Sequence, residues 1–140
     1  MEKNNTGNNL STGRFQQAVD LLGISPDKIK TDRLQTSPFT KLVTDDSDTS
    51  VIRPVKVAFS NTAQRDSFLS FANYSNDNFP MEVTTFSAND VLVTAQNPLV
   101  ISPSGPNPVV VNIGTLTMEP GGQIECLTSV IMNVTAFIKQ

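Results

Sequence analysis

The chain contains no histidine and no tryptophan, and it has one cysteine and one tyrosine among its 140 residues. Without histidine, one chain cannot form Ser-His-Asp or Cys-His nucleophiles or histidine-containing metal sites. The single cysteine, Cys126, excludes an intrachain disulfide and a paired-cysteine zinc or redox site. Its apolar neighbours predict a buried, unreactive thiol. These absences favour a protein that is not an enzyme and that binds no metal or cofactor.

Positive charge is also scarce. The formal net charge is −3, the isoelectric point is near 4.7, and no basic cluster offsets the acidity locally. We therefore expect binding neither to nucleic acid nor to an anionic membrane. No apolar run approaches the roughly 18 residues of a membrane helix, and the first residues contain no apolar stretch of an export signal. These features predict a cytoplasmic protein, with release by lysis or a dedicated secretion system left open.

The N-terminal third predicts an arm, a helical segment and a linker. Residues 1–12 are polar and predict a flexible arm. Residues 13–34 predict two short helices, the first with its apolar side chains on one face and the second beginning at Ser25 and Pro26. Helices this short must dock on something to persist. Residues 35–50 predict a linker, and we interpret its aspartates as solvated because the full calcium-loop pattern is missing: Asp45, Asp46 and Asp48.

From residue 51 to 140 the apolar period changes to that of strands. Pro54 predicts that the first strand lies at a sheet edge or carries a bulge there. The segment 81–95 predicts two short strands broken at residues 88–90, and "PLVIS" and "PVVVNI" predict two more. The stretch "RDSFLSFANY" is ambiguous between helix and strand.

The stretch "TLTMEPGGQIEC" decides the predicted architecture. Apolar residues keep even numbering on both sides of Pro120–Gly122, which fits a hairpin with a three-residue loop that pairs Met118 with Ile124. We therefore predict an antiparallel β-sandwich or jelly roll of seven or eight strands, preceded by the two helices. The alternative is a short β-solenoid, since a solenoid corner would also preserve the parity. No repeat of 20 to 30 residues is apparent to favour it.

The C-terminal part carries few charges. Residues 91–140 contain three: Glu119, Glu125 and Lys139. One interpretation is a central strand covered on both faces by the sandwich and the helices. The other is a subunit interface, which favours a non-enzymatic structural protein that self-assembles into a homo-oligomer, filament, shell or lattice, with the arm and helices reaching a neighbouring subunit. The candidate interface residues are Leu127, Ile131, Met132, Phe137, Phe15, Val19 and Leu22.

The alternative function is a small module that binds a glycan or another protein. The only tyrosine lies in a loop rich in amides and carboxylates, which are suited to polar ligands. Its candidate binding residues are Tyr74, Asn76, Asp77 and Asn78. Glu119 and Glu125 are a poor glycosidase pair, because the predicted register does not place them opposite each other.

Overall fold

A computed structural model describes residues 13–38, 40–44, 50–59, 61–74, 81–102 and 108–140. The predicted arm and the aspartates of the predicted linker lie outside these residues. The described helices are α1 (Arg14–Leu22) and α2 (Thr62–Ala72), with a single 3-10 turn at Pro26–Lys28. The described strands are β1 (Leu34–Gln35), β2 (Lys41–Leu42), β3 (Val55–Ala58), β4 (Glu82–Val93), β5 (Leu99–Ile101), β6 (Val109–Met118), β7 (Ile124–Cys126) and β8 (Val130–Lys139).

Local sequence signals account for both helices. Gly23 ends α1 in the left-handed conformation at φ 68°, which glycine adopts without a steric penalty. The second predicted helix is only the 3-10 turn, since Ile29 already has extended backbone angles. The ambiguous phenylalanine segment forms α2, because the Asn61 side chain accepts the Gln64 amide hydrogen at its start and so satisfies one free donor.

The strands form two sheets, and this arrangement shows that the antiparallel sandwich prediction is wrong. The first sheet has the order β1-β4-β6-β8, with β3 also paired to β4, and the second has the order β2-β5-β7. Every pairing is parallel except β3 with β4. Apart from β3, the chain therefore passes alternately through the two sheets, and each circuit, which we call a coil, stacks on the one before it. This is the strand pairing of a solenoid rather than of a sandwich.

The coils differ in length, which hides the repeat in the sequence. Thr84 and its partner Val109 are separated by 25 residues, whereas Val109 and its partner Val130 are separated by 21. The two separations differ because the connection from β5 in the second sheet to β6 in the first is longer than the connection from β7 to β8. An insertion carrying β3 and α2 further separates β2 from β4. No fixed period survives these changes.

Pro120–Gly122 turns the chain at a corner of the coil and does not form a hairpin. The Gly122 amide donates to the Glu119 carbonyl at 2.8 Å, and Gly121 has φ 86°. Proline followed by a left-handed glycine is the pattern of a type II turn. The predicted pairing of Met118 with Ile124 is wrong, since Met118 pairs with Val93 and Lys139, and Ile124 pairs with Leu99.

The long strands bend at equivalent positions. The register omits Asn89, Gly114 and Thr135, one in each of β4, β6 and β8. In β4 the even-numbered residues face the interior before this position, and the odd-numbered residues face it afterwards. Ala88 and Val91 therefore both belong to the interior cluster. The predicted break at residues 88–90 is therefore a bend within the single strand β4. A Cβ at Gly114 would lie 2.6 Å from the Asn89 carbonyl oxygen, which explains why the middle strand has glycine there.

Two apolar layers stabilise the molecule. The first fills the space between the two sheets and includes Phe86, Val111 and Leu99. The second joins α1 and α2 to the outer face of the first sheet through Val110 and Ile131. The predicted linker supplies part of the interior, because Leu42 of β2 is fully buried and pairs with Ile101.

Candidate functional site

The stack of coils has two unlike ends. At the first end the strands are short: β1 and β2 have two residues each, and β3 has four and follows Pro54. The interior at this end is covered, since Leu42 and Ile52 are buried. Short edge strands and proline are devices that prevent a sheet edge from pairing with another chain. We call this end the capped end.

At the second end no described strand covers the interior; we call this end, formed by residues 124–140 with β7 and β8, the open end. Interior columns of register partners become more exposed in the last coil than in the coils before it. Val91 and Leu116 are buried, whereas their partner Phe137 is 59% exposed. The same increase in exposure occurs in the columns Phe86–Val111–Met132, Ala88–Ile113–Val134, Leu99–Ile124 and Ile101–Cys126.

The open end also presents free backbone groups. The Val109 amide bonds the Ser129 carbonyl, and the Gln140 amide bonds the Met118 carbonyl. Alternate residues of β8 therefore direct their backbone groups toward β6, and the others direct theirs away from it. The residues of β8 whose amide and carbonyl groups point away from the described strands are Val130, Met132, Val134, Phe137 and Lys139.

The open end is apolar and electrically balanced. The large hydrophobic side chains that are exposed in the described part of the chain all lie here: Leu127 at 58%, Phe137 at 59% and Ile138 at 48%. Residues 124–140 carry one negative and one positive side chain, Glu125 and Lys139. A long, unprotected and apolar edge of this kind is where sheet proteins associate.

A buried polar ladder crosses the outer face of the first sheet. Asn112 donates from Nδ2 to Ser87 Oγ at 3.2 Å, and Asn133 donates from Nδ2 to Asn112 Oδ1 at 2.9 Å. The three residues are register partners on β4, β6 and β8, and each is at most 2% exposed. The ladder ends at Asn133 Oδ1, which has no hydrogen-bond partner among the described residues. No sequence motif marked these residues, because their alignment depends on the coil spacing.

The structure separates the predicted interface residues into two groups. Leu127, Met132 and Phe137 lie at the open end. Val19 and Leu22 of α1 are buried with Ile131 in the second apolar layer, and Phe15 packs partly buried beside them. The helix therefore docks on the sheet of its own chain, where the Phe15 amide donates to Thr135 Oγ1 at 2.9 Å. Sequence periodicity identified these apolar faces but did not show what covers them.

The predicted ligand-binding loop lies mostly outside the described residues, including Asn76, Asp77 and Asn78. Tyr74 is described, and it packs partly buried against the second apolar layer, with its amide bonded to the Leu69 carbonyl.

Ile138 was not among the predicted interface residues, and it joins the exposed group at the open end.

Cys126 corrects another expectation, because its thiol is exposed rather than buried. Its column partner Ile101 is fully buried, so the apolar alternation was identified correctly, but β7 is the last strand of its sheet. An apolar pattern indicates which way a side chain faces, whereas its burial depends on the next strand.

Two cavities lie on the surface of the described chain. A cavity of about 220 Å³ lies near Lys28, Lys30 and Arg53 at the capped end, and Asp27 also lines it. A hydrogen bond from Ser25 lowers the pKa of the exposed Asp27. A second cavity, of about 310 Å³, lies at the corner formed by residues 94–97 and Glu119, whose Oε1 accepts the Ala95 amide hydrogen. Neither cavity contains a polar group buried without a partner.

Within the described ranges, no group of three or more cysteine, aspartate or glutamate side chains is placed to hold a metal ion. None of the described helices is long and apolar enough to cross a membrane.

No protein-family model, curated protein or solved structure matches the chain.

Proposed function

We propose that this protein is a non-enzymatic structural subunit that self-associates through the open end of its coil stack. The observation that supports this most directly is the column Val91–Leu116–Phe137, which is apolar in all three coils but covered in only two. Phe137 in the last coil therefore occupies an interior column, but no described strand lies beyond it to cover its side chain. A second protein surface would supply that neighbour.

The physical driving force is removal of apolar surface and free backbone groups from water. Fully burying a large apolar side chain contributes about 1.5–3 kcal/mol, and Leu127, Phe137 and Ile138 are 58%, 59% and 48% exposed, so a contact that covers them gains roughly half of that value from each. The outward-facing amides of β8 gain partners in the same step, which adds direction to the contact. Because the open end has no net charge, two such surfaces meet without net repulsion.

The N-terminal arm is proposed as a secondary contact that extends to a neighbouring subunit and orders on assembly. Helix α1 leads from the arm across β6 and β8, so residue 13 lies beside Thr135 near the open end. Residue 13, to which the arm is joined, therefore lies close to the surface where a neighbour would bind. Deleting residues 1–12 tests this contribution, whereas a longer deletion would remove Val19 and Leu22 from the core.

The test compares substitutions at the two ends of the stack by size-exclusion chromatography with light scattering. Phe137→Asp puts a charge on the open end, and Gln35→Asp puts the same charge on an exposed residue of β1 at the capped end. Both residues are exposed strand residues, so we expect both variants to remain folded, with stability changes of about 0.5 kcal/mol. Circular dichroism melting curves check the folding of each.

The expected result is an oligomer for the wild type and Gln35→Asp, and a folded monomer for Phe137→Asp. A wild type that is monomeric over the accessible concentration range would overturn the proposal. Association that persists in Phe137→Asp and also in Ile138→Asp would show that the surface lies elsewhere. Unfolding of both open-end variants would assign these side chains to the core instead.

A further inference from the structure

We infer that two copies of this chain associate tail to tail, open end against open end, to form a closed two-fold dimer. This inference rests on the proposed self-association and specifies its geometry. The alternative is head-to-tail stacking, in which the open end of one copy binds the capped end of the next and the assembly extends as a filament. Three differences between the ends favour the closed pair.

The first difference is the availability of a sheet edge. The open end presents the ten residues of β8, whereas the first-sheet edge at the capped end is divided between the short strands β1 and β3. These two strands bind different parts of β4, at Val91–Leu92 and at Glu82–Thr85. An incoming β8 would therefore find no continuous strand of matching length at the capped end. It finds one on a second copy of itself.

The second difference is charge. The capped end carries several basic groups that are exposed or partly exposed: Lys30, Arg33, Lys41 and Arg53. Head-to-tail stacking would press these groups against the exposed interior columns of the open end and remove them from water. Desolvating these charges against an apolar surface is costly, including those of Arg33, which pairs with Asp90 at 3.3 Å, and Arg53, which interacts with Asp27. Two open ends bring together apolar surfaces that carry one charge of each sign per copy.

The third difference is shape. At the capped end Leu42 and Ile52 close the interior and are themselves buried, and the cavity there is lined in part by the charged residues Asp27, Lys30 and Arg53. At the open end Met132, Val134 and Ile124 are partly exposed above the interior cluster. An isologous contact joins these two exposed interiors into one continuous apolar core. It also uses the open end of both copies, so growth stops at two.

The exposed Cys126 provides a direct probe of this geometry, since it lies on β7 at the open end. In a tail-to-tail dimer both thiols face the same interface, so a bismaleimide cross-linker joins two chains. In head-to-tail stacking each interface contains one thiol, and thiol-to-thiol linkage between neighbours across that interface fails. The experiment treats the full chain with a short and a long bismaleimide, with mass analysis before and after.

The matched control moves the only thiol to the other end, as Cys126→Ser combined with Gln35→Cys. We expect a light-scattering mass of two chains for both proteins and a covalent dimer from the wild type alone. Masses above two chains, or an associated wild type that does not cross-link with either reagent, would overturn the tail-to-tail inference and leave self-association intact. A wild type that does not associate would remove both proposals.

Discussion

Asn133 on β8 donates a hydrogen bond to Asn112, its register partner on β6, through a contact that spans 21 residues of sequence. With the bond from Asn112 to Ser87, it connects three successive coils beneath α1. Because the residues align only when each coil has its observed length, the ladder fixes the register between strands. A slip of one residue would leave buried amide groups without partners, at a cost of about 1–3 kcal/mol each.

The position of each asparagine in the ladder predicts its contribution to stability. Asn112→Ala leaves both neighbours without a partner, so we expect the free energy of unfolding to fall by about 3 kcal/mol. Asn133→Ala removes one bond and also the unpartnered Oδ1, so a loss of about 1 kcal/mol is expected. Urea unfolding of the two variants measures the difference. Equal losses would show that the ladder does not act as a connected unit.

Replacing the central amide by a carboxyl should make stability depend on pH. In Asn112→Asp, burial raises the pKa of the new carboxyl above the value near 4 that it has in the unfolded chain. The folded state then binds more protons than the unfolded state, so the free energy of unfolding falls as pH rises above about 4. Urea unfolding between pH 4 and 7, relative to the wild type, tests this. A difference that is constant with pH would contradict full burial at this position.

The loss in free energy of unfolding caused by a truncation to alanine should depend on where the residue lies along the column Val91–Leu116–Phe137. Leu116→Ala removes a buried side chain, and we expect a loss of about 2–5 kcal/mol at any protein concentration. Phe137→Ala removes an exposed side chain, so its loss should be small in dilute solution and should grow with concentration as association becomes significant. Thermal melts at several concentrations measure both variants. A loss for Phe137→Ala that is large and independent of concentration would place this side chain in the core of the single chain.

The bend in the middle strand should tolerate no side chain. In Gly114→Ala the new Cβ would lie 2.6 Å from the backbone oxygen of Asn89, which cannot move without disturbing β4. We expect a loss of about 1–3 kcal/mol, as for other forced contacts in packed regions. Unfolding by urea measures it, and an unchanged midpoint would mean that the two strands separate easily at the bend.

The sequence predicted elements better than it predicted their arrangement. The apolar parity around Pro120 was correct, but a hairpin and a solenoid corner both preserve it, so parity alone could not decide between them. The decisive signal would have been a repeat. Unequal connections between β5 and β6 and between β7 and β8, together with the insertion that carries α2, removed it.

The candidate site was predicted only in part, again because the sequence pattern does not decide how the elements are arranged. A shortage of charge in residues 91–140 indicated an interface or a doubly covered strand, and in the described structure β8 is covered over only part of its length. Ile131 is covered by α1, whereas Phe137 on the same strand is exposed. Which residue lies under the helix depends on the bend at Thr135 and on helix docking, neither of which has a local sequence signal.

The most direct test of the open end as the association surface is amide hydrogen exchange, followed by NMR at low and high protein concentration. The amides that point away from β6 should exchange rapidly in dilute solution and become protected as concentration rises, notably those of Met132, Val134 and Phe137. Amides of β3 at the capped end provide the internal control and should not change. Protection that appears at the capped end, or that is independent of concentration at β8, would contradict the account.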